Sequence, residues 1–212
     1  MRTRNLLILI ALGAGALGLT VGREALAKYE EPKYEVVQKS ENIEIRQYPS
    51  VIAAEVTVEG TKDKAANQAF RILAGYIFGK NVSRDKIAMT VPVTETTSSE
   101  KIAMTVPVTE TSAEGKMTMR FYMPSKFTLD TLPAPIDKSI KFITLPPVRY
   151  AVITFSGFAG EDNISHHEEK LRDYLKEKNL TAQGKAVRAF YNPPWTLPFL
   201  RRNEVWLPIE GS

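Results

Sequence analysis

The chain has 212 residues, 43% of them apolar and 25% charged, with a formal charge of +4 and no cysteine. This length supports one domain with a real core, and the lack of cysteine excludes disulfides, thiolate nucleophiles, zinc ribbons and iron–sulfur clusters. Discounting Arg2, Arg4, Arg23 and Glu24 leaves +2 on the remainder, with no basic run beyond Arg201-Arg202, so no nucleic-acid partner is expected.

Arg2 and Arg4 precede an apolar run over 6–21, and Ala25-Leu26-Ala27 follows with the small-x-small pattern of a signal-peptidase site. The run is short for a membrane span, which takes about 20 residues. Residues 1–27 are expected to be a signal peptide, or alternatively an N-terminal membrane anchor, with a single domain over 28–212. Either reading places that domain outside the cytoplasm, periplasmic or secreted.

Alternation predicts strands at 34–39, 43–47 and 51–58. A helix is predicted over 62–78, where Ala66, Ala69, Phe70, Leu73 and Ile77 recur at helical spacing; Gly79 and Asn81 stop it. An internal repeat follows: KIAMTVPVTET occupies 86–96 and again 101–111. Each copy alternates, with Ile87, Met89, Val91 and Val93, then Ile102, Met104, Val106 and Val108, on one face. The copies are expected to form a structural hairpin, with Pro92 and Pro107 confining them to an edge or a bulge. The second copy is expected deeper in the sheet than the first.

Further strands are predicted at 116–123, 140–145, 148–155, 186–191 and 204–209, with an irregular proline-containing connection over 124–137. An amphipathic helix is predicted over 161–178, with Ile164, His167, Leu171, Tyr174 and Leu175 inward. Residues 54–60, AEVTVEG, and 151–157, AVITFSG, precede the two helices at an offset of 97. The fold class is therefore α+β: a pseudo-twofold, curved antiparallel sheet or distorted β-barrel with two packed helices.

Three segments, YEVVQKSENIEIRQYPSVIAAEV from Tyr34, the stretch from Phe78 to Val93 including KIAMTVPV, and YNPPWTLPFLRRNEVW from Tyr191, together resemble the SOUL haem-binding protein family. The resemblance spans about residues 32–209. It implies a distorted β-barrel with two helices, and non-covalent haem or tetrapyrrole binding in an apolar groove beside the first helix. On that reading Phe70, Leu73 and Ile77 form the groove with neighbouring methionines, Met89 and Met104 foremost. Those methionines equally suit core filling. Arg71 and Lys80 flank the helix where cations would meet propionates, or else are a solvated face. Gly75 falls where some members of the family carry a lysine. Trp195 and Phe199 either cover a flat ligand by stacking or plug one end of the sheet.

His166 and His167 are the chain's two histidines, and each is either structural or an iron ligand; the metal ligand is left open. Arg201-Arg202-Asn203-Glu204 reads as a structural corner in which charges pair. The chain carries no C-x-x-C-H, G-x-S-x-G, H-E-x-x-H or phosphate-loop signature. The expected protein is a monomeric tetrapyrrole binder, a carrier or buffer and not an enzyme, touching a membrane only through an uncleaved anchor. A small-molecule hydrolase on the same scaffold and a protein-interaction module are the alternatives.

Overall fold

The structure is a computed structural model that describes residues 30–83, 99–113, 115–193 and 195–210. Residues 1–27, on which the signal-peptide or anchor reading falls, the first repeat copy with its expected hairpin, and Met89 lie outside the described residues. Among the described residues, eleven strands and two α-helices follow in chain order. They are β1 (Glu35–Ser40), β2 (Ile43–Tyr48), β3 (Val51–Glu59), α1 (Lys62–Ile77), β4 (Asn81–Val82), β5 (Val108–Ala113), β6 (Lys116–Tyr122), β7 (Ala134–Pro135), β8 (Lys141–Leu145), β9 (Val148–Phe155), α2 (Glu161–Glu177), β10 (Val187–Phe190) and β11 (Asn203–Ile209).

Nine strands form one antiparallel sheet in the order β1-β2-β9-β11-β10-β5-β6-β3-β8, curled into a half-barrel. The order reads symmetrically about the β10–β5 seam, where Arg188 faces Glu110 and Ala189 faces Thr109. On either side stand β11 and β6, then β9 and β3, then β2 and β8. Each pre-helix strand takes its outer partner from the other half: β2 pairs with β9, and β8 pairs with β3. In both halves the strand ends in a glycine of positive φ, Gly60 at 138° and Gly157 at 98°. A side chain would strain the backbone at that turn into the helix.

Both faces of the sheet are covered. On the convex face α1 packs over Val56, Met117, Met119 and Phe121, and α2 packs over Ile153, Val205 and Leu207. The concave face is filled by Tyr48, Tyr122, Val152, Tyr191 and Trp206. Strand alternation produces both sets: on β11, Val205 and Leu207 face α2 while Glu204 and Trp206 point into the half-barrel.

Two sequence expectations need correction. The second repeat copy is not one strand over 101–111; the ladder starts at Val108, because Pro107 has no N–H to donate. Its apolar residues also do not share one face. Ile102, Met104 and Val108 join the core under α1, whereas Val106 enters the concave cluster. The part of the copy that enters the sheet, from Val108 on, does so in β5 between β10 and β6, and not at the edge expected from Pro107; its depth relative to the first copy falls outside the described residues. On α1 the buried stripe is Ala65, Ala69, Leu73, Ala74, Tyr76 and Ile77. Phe70 sits at its margin, 40% exposed, with its ring edge against Phe121 at 5.6 Å.

Candidate functional site

The outer flank of α1 borders a cleft of about 610 Å³, within the range of small-molecule and cofactor sites. One wall is helical: Gln68, Arg71, Ile72 and Tyr76, at the i, i+3, i+4, i+8 spacing that shares a helix face. The other wall is the irregular segment after β6, supplying Ile136, Asp137 and Ile140; Lys80 closes the C-terminal end.

Polar contacts clip that segment to the end of α1. The Tyr76 hydroxyl donates to the Pro133 carbonyl at 3.0 Å. The Ile136 amide donates to the Lys80 carbonyl at 3.4 Å, and β4 pairs with β7. Buried Asn81 donates to the Tyr76 carbonyl at 2.8 Å and to the Glu100 carbonyl at 2.7 Å, and accepts from the Glu100 amide at 2.9 Å. The cleft is thus held open between two anchored walls.

Its floor is apolar, from Ile72, Tyr76 and Ile140, and its charges sit at the margin. The Lys80 stem crosses Gly75 so closely that a Cβ there would lie 3.1 Å from Lys80 Cδ. The missing side chain at 75 is the space the lysine occupies. Arg71 Nε donates to the Asn67 carbonyl at 3.3 Å. Asp137 accepts from the Ser139 hydroxyl at 2.6 Å and amide at 2.9 Å. Those bonds, with the field of Lys80, hold its carboxyl below the usual range. Two cations and one carboxylate leave the margin net positive.

The structure distributes the expected site residues unevenly. Arg71 and Lys80 line the cleft. Leu73 and Ile77, 0% and 1% exposed, are core residues under the helix. Met104 packs beside that same core. Trp195 and Phe199 stand on an exposed loop. Sequence reasoning missed Gln68, Ile72, Tyr76, Ile136, Asp137 and Ile140. Ile72 and Tyr76 were visible as an i, i+4 pair, but nothing local brings 136–140 to them.

Neither histidine lines the cleft. His167 stacks on Phe155 with centroids 4.1 Å apart, and its Nδ1 lies 2.7 Å from the Asn163 carbonyl. Among the described residues no group of three or more His, Asp or Glu is placed to hold a metal.

The second concentration of charge is Glu204, fully buried on the concave face. Its carboxylate accepts from Arg46 at 3.0 and 3.2 Å, Tyr191 at 2.7 Å, Trp206 Nε1 at 2.7 Å, Thr154 at 3.2 Å and Arg202 at 3.0 Å. Burial alone would raise this carboxyl; Arg46 and Arg202 outweigh it and hold it low. Arg202 continues to Glu31 at 3.1 Å and lies over the Tyr191 ring at 3.7 Å. Every lone pair direction is engaged, so this is the paired corner anticipated from Arg201-Arg202-Asn203-Glu204.

Among the described residues, a curled nine-stranded sheet with two packed helices and an apolar, cation-rimmed cleft defines a small-ligand-binding α+β domain. Residues 29–208 match the SOUL heme-binding protein family, and the chain belongs to that family. It is 32% identical over 155 residues to mouse (Mus musculus) heme-binding protein 1, covering 71% of this chain and 76% of that protein. It is 30% identical over 166 residues to human (Homo sapiens) heme-binding protein 2, covering 77% and 76%. Among solved structures, a hydrolase from Listeria innocua superposes with a TM-score of 0.55 at 13% identity, over 82% of this chain and 94% of that one. That likeness is one of fold.

Proposed function

We propose that this chain binds haem or a related tetrapyrrole non-covalently in the α1 cleft, as a carrier or buffer and not as an enzyme. The observation that carries the reading is the cleft itself: an apolar floor for a flat macrocycle, with Arg71 and Lys80 at the margin to meet propionates. Covalent attachment through cysteine is impossible in this sequence. Among the described lining residues there is no His or Met, and the Tyr76 hydroxyl is committed to Pro133. Among the described residues, binding in this cleft is read as resting on apolar contact and charge.

Titration with haemin and with metal-free protoporphyrin, followed at the Soret band, tests this. Both should saturate with similar affinity. Ile136 is 63% exposed, so Ile136→Asp leaves the core intact and should weaken both ligands about tenfold or more. Unchanged affinity in that variant and in Arg71→Ala/Lys80→Ala would remove the cleft from consideration. Residues 1–27 are read as a leader or anchor that delivers a monomeric binding domain outside the cytoplasm. Fractionation with N-terminal sequencing checks it; a soluble cytoplasmic product that retains Met1 would contradict it.

A further inference from the structure

Two loops at one end of the domain expose an unusual set of large apolar side chains. Trp195 is 82% exposed, Phe199 70%, Phe158 68%, Leu200 57% and Leu197 56%. The loops are joined: the Gly157 amide donates to the Pro198 carbonyl at 2.8 Å, and Asn203 Nδ2 donates to the Gly157 carbonyl at 3.1 Å. The Arg201 guanidinium lies 5.5 Å from the centre of the Phe158 ring, while its Nε donates to the Thr196 carbonyl at 2.8 Å. These contacts hold the two loops side by side, so their exposed side chains are read as one patch. None of these residues borders the α1 cleft.

We propose that this patch docks the domain on a lipid bilayer, with the aromatic and leucine side chains at the acyl–headgroup boundary and Arg201 at headgroup level. Three observations favour a bilayer over a protein partner. Trp, Phe and Leu beside a cation is the composition of interfacial anchors. The side chains are more than half exposed on loops, which suits a deformable surface. The chain also enters the domain here: Glu31 pairs with Arg202 at 3.1 Å, two residues beyond Leu200. Only residues 22–29 separate Glu30 from the apolar run at 6–21. Eight residues reach at most roughly 26–29 Å, so the apolar run is tethered within that distance of Glu30. The inference does not rest on the identity of the cleft's ligand.

The test uses the full chain and phosphatidylcholine vesicles with or without brominated acyl chains. Trp206 is 2% exposed and Trp195 82%, so bromine quenching reports on Trp195. Brominated vesicles should quench a large part of the emission, and Trp195→Phe should abolish that part. Phe158→Ser, Leu197→Ser and Phe199→Ser each remove an exposed side chain and should leave thermal unfolding unchanged. Each aromatic replaced should lower vesicle partition about tenfold. Protein that pellets with vesicles while Trp195 stays open to acrylamide and untouched by bromine would overturn the proposal, since the N-terminal run alone would then hold the membrane. So would burial of Trp195 in a lipid-free dimer. Loss of haemin binding in the same variants would assign the patch to the tetrapyrrole and overturn it equally.

Discussion

Glu110 on β5 is 8% exposed at the seam between the two halves. Burial, then the nearby Asp63 carboxylate, pushes its carboxyl up to about 7 from an ordinary 4.5. Arg188 lies 3.8 Å away but is taken bidentately by Glu161 at 2.8 and 3.0 Å, so it offers Glu110 little relief. The folded state therefore holds a proton that the unfolded chain releases. Stability from this group is fully present below about pH 4.5 and is lost as pH rises through 7. At 1.36 kcal/mol per unit the rise amounts to at most about 3 kcal/mol. Glu110→Gln keeps the shape of the protonated acid and removes the titration. The variant should match wild type at pH 4 and exceed it at pH 8 by up to about 3 kcal/mol. Urea unfolding followed by tryptophan fluorescence reads this as a midpoint shift of roughly 1–2 M at pH 8, with an unchanged slope. Equal stability at pH 8, or a variant weaker there, would mean that Arg188 pairs with ionised Glu110 and that the desolvation argument fails.

Glu204→Ala leaves Arg46 buried without its carboxylate and should cost about 3–5 kcal/mol in denaturant unfolding; a loss below about 1 kcal/mol would show that the corner is not structural. Gly75→Ala should stabilise α1 by roughly 0.5–1 kcal/mol while displacing Lys80, so a higher melting temperature should accompany a several-fold change in haemin affinity and none for an uncharged porphyrin ester. His166→Ala/His167→Ala should retain the haemin Soret band unchanged and lose about 1 kcal/mol of stability with the Phe155 stack; a lost or shifted band would identify an iron ligand.

The elements of this fold were legible where a single physical period dominates. Helices α1 and α2 end one residue before the expected positions, because apolar stripes and glycine stops are local signals. The offset of 97 between β3 and β9 also marks the true symmetry. Strand partners were not legible: alternation says that 43–48 and 141–145 are extended, not that each crosses to the other half to pair. Tyr76 was left out of the helical stripe because its partners, Pro133 and Phe142, lie far along the chain. Ile136 and Asp137 sit in an irregular stretch with no period, so the second wall of the cleft had no sequence signal. The Arg-Arg-Asn-Glu corner was readable as structure because burying such charges requires pairing.

Pseudo-symmetry raises the question of whether there are two sites, and the helices answer it. At an offset of 98, Ala69, Leu73, Tyr76 and Ile77 of α1 correspond to His167, Leu171, Tyr174 and Leu175 of α2. The inward faces have thus kept one packing scheme. The outward faces have not. Ile72, which floors the cleft, corresponds to exposed Lys170, and Arg71 corresponds to exposed Glu169. A macrocycle on α2 would lose its apolar floor and meet a carboxylate where α1 offers a cation. The seat on α1 also needs residues 133–140 clipped to the helix end by Tyr76, a bond Tyr174 does not copy, since its hydroxyl accepts from Gln38 at 2.9 Å. The fold repeats and the site does not, so isothermal titration should give one haemin per chain. Two equivalent sites would place binding on features that both halves share and would remove it from the α1 cleft.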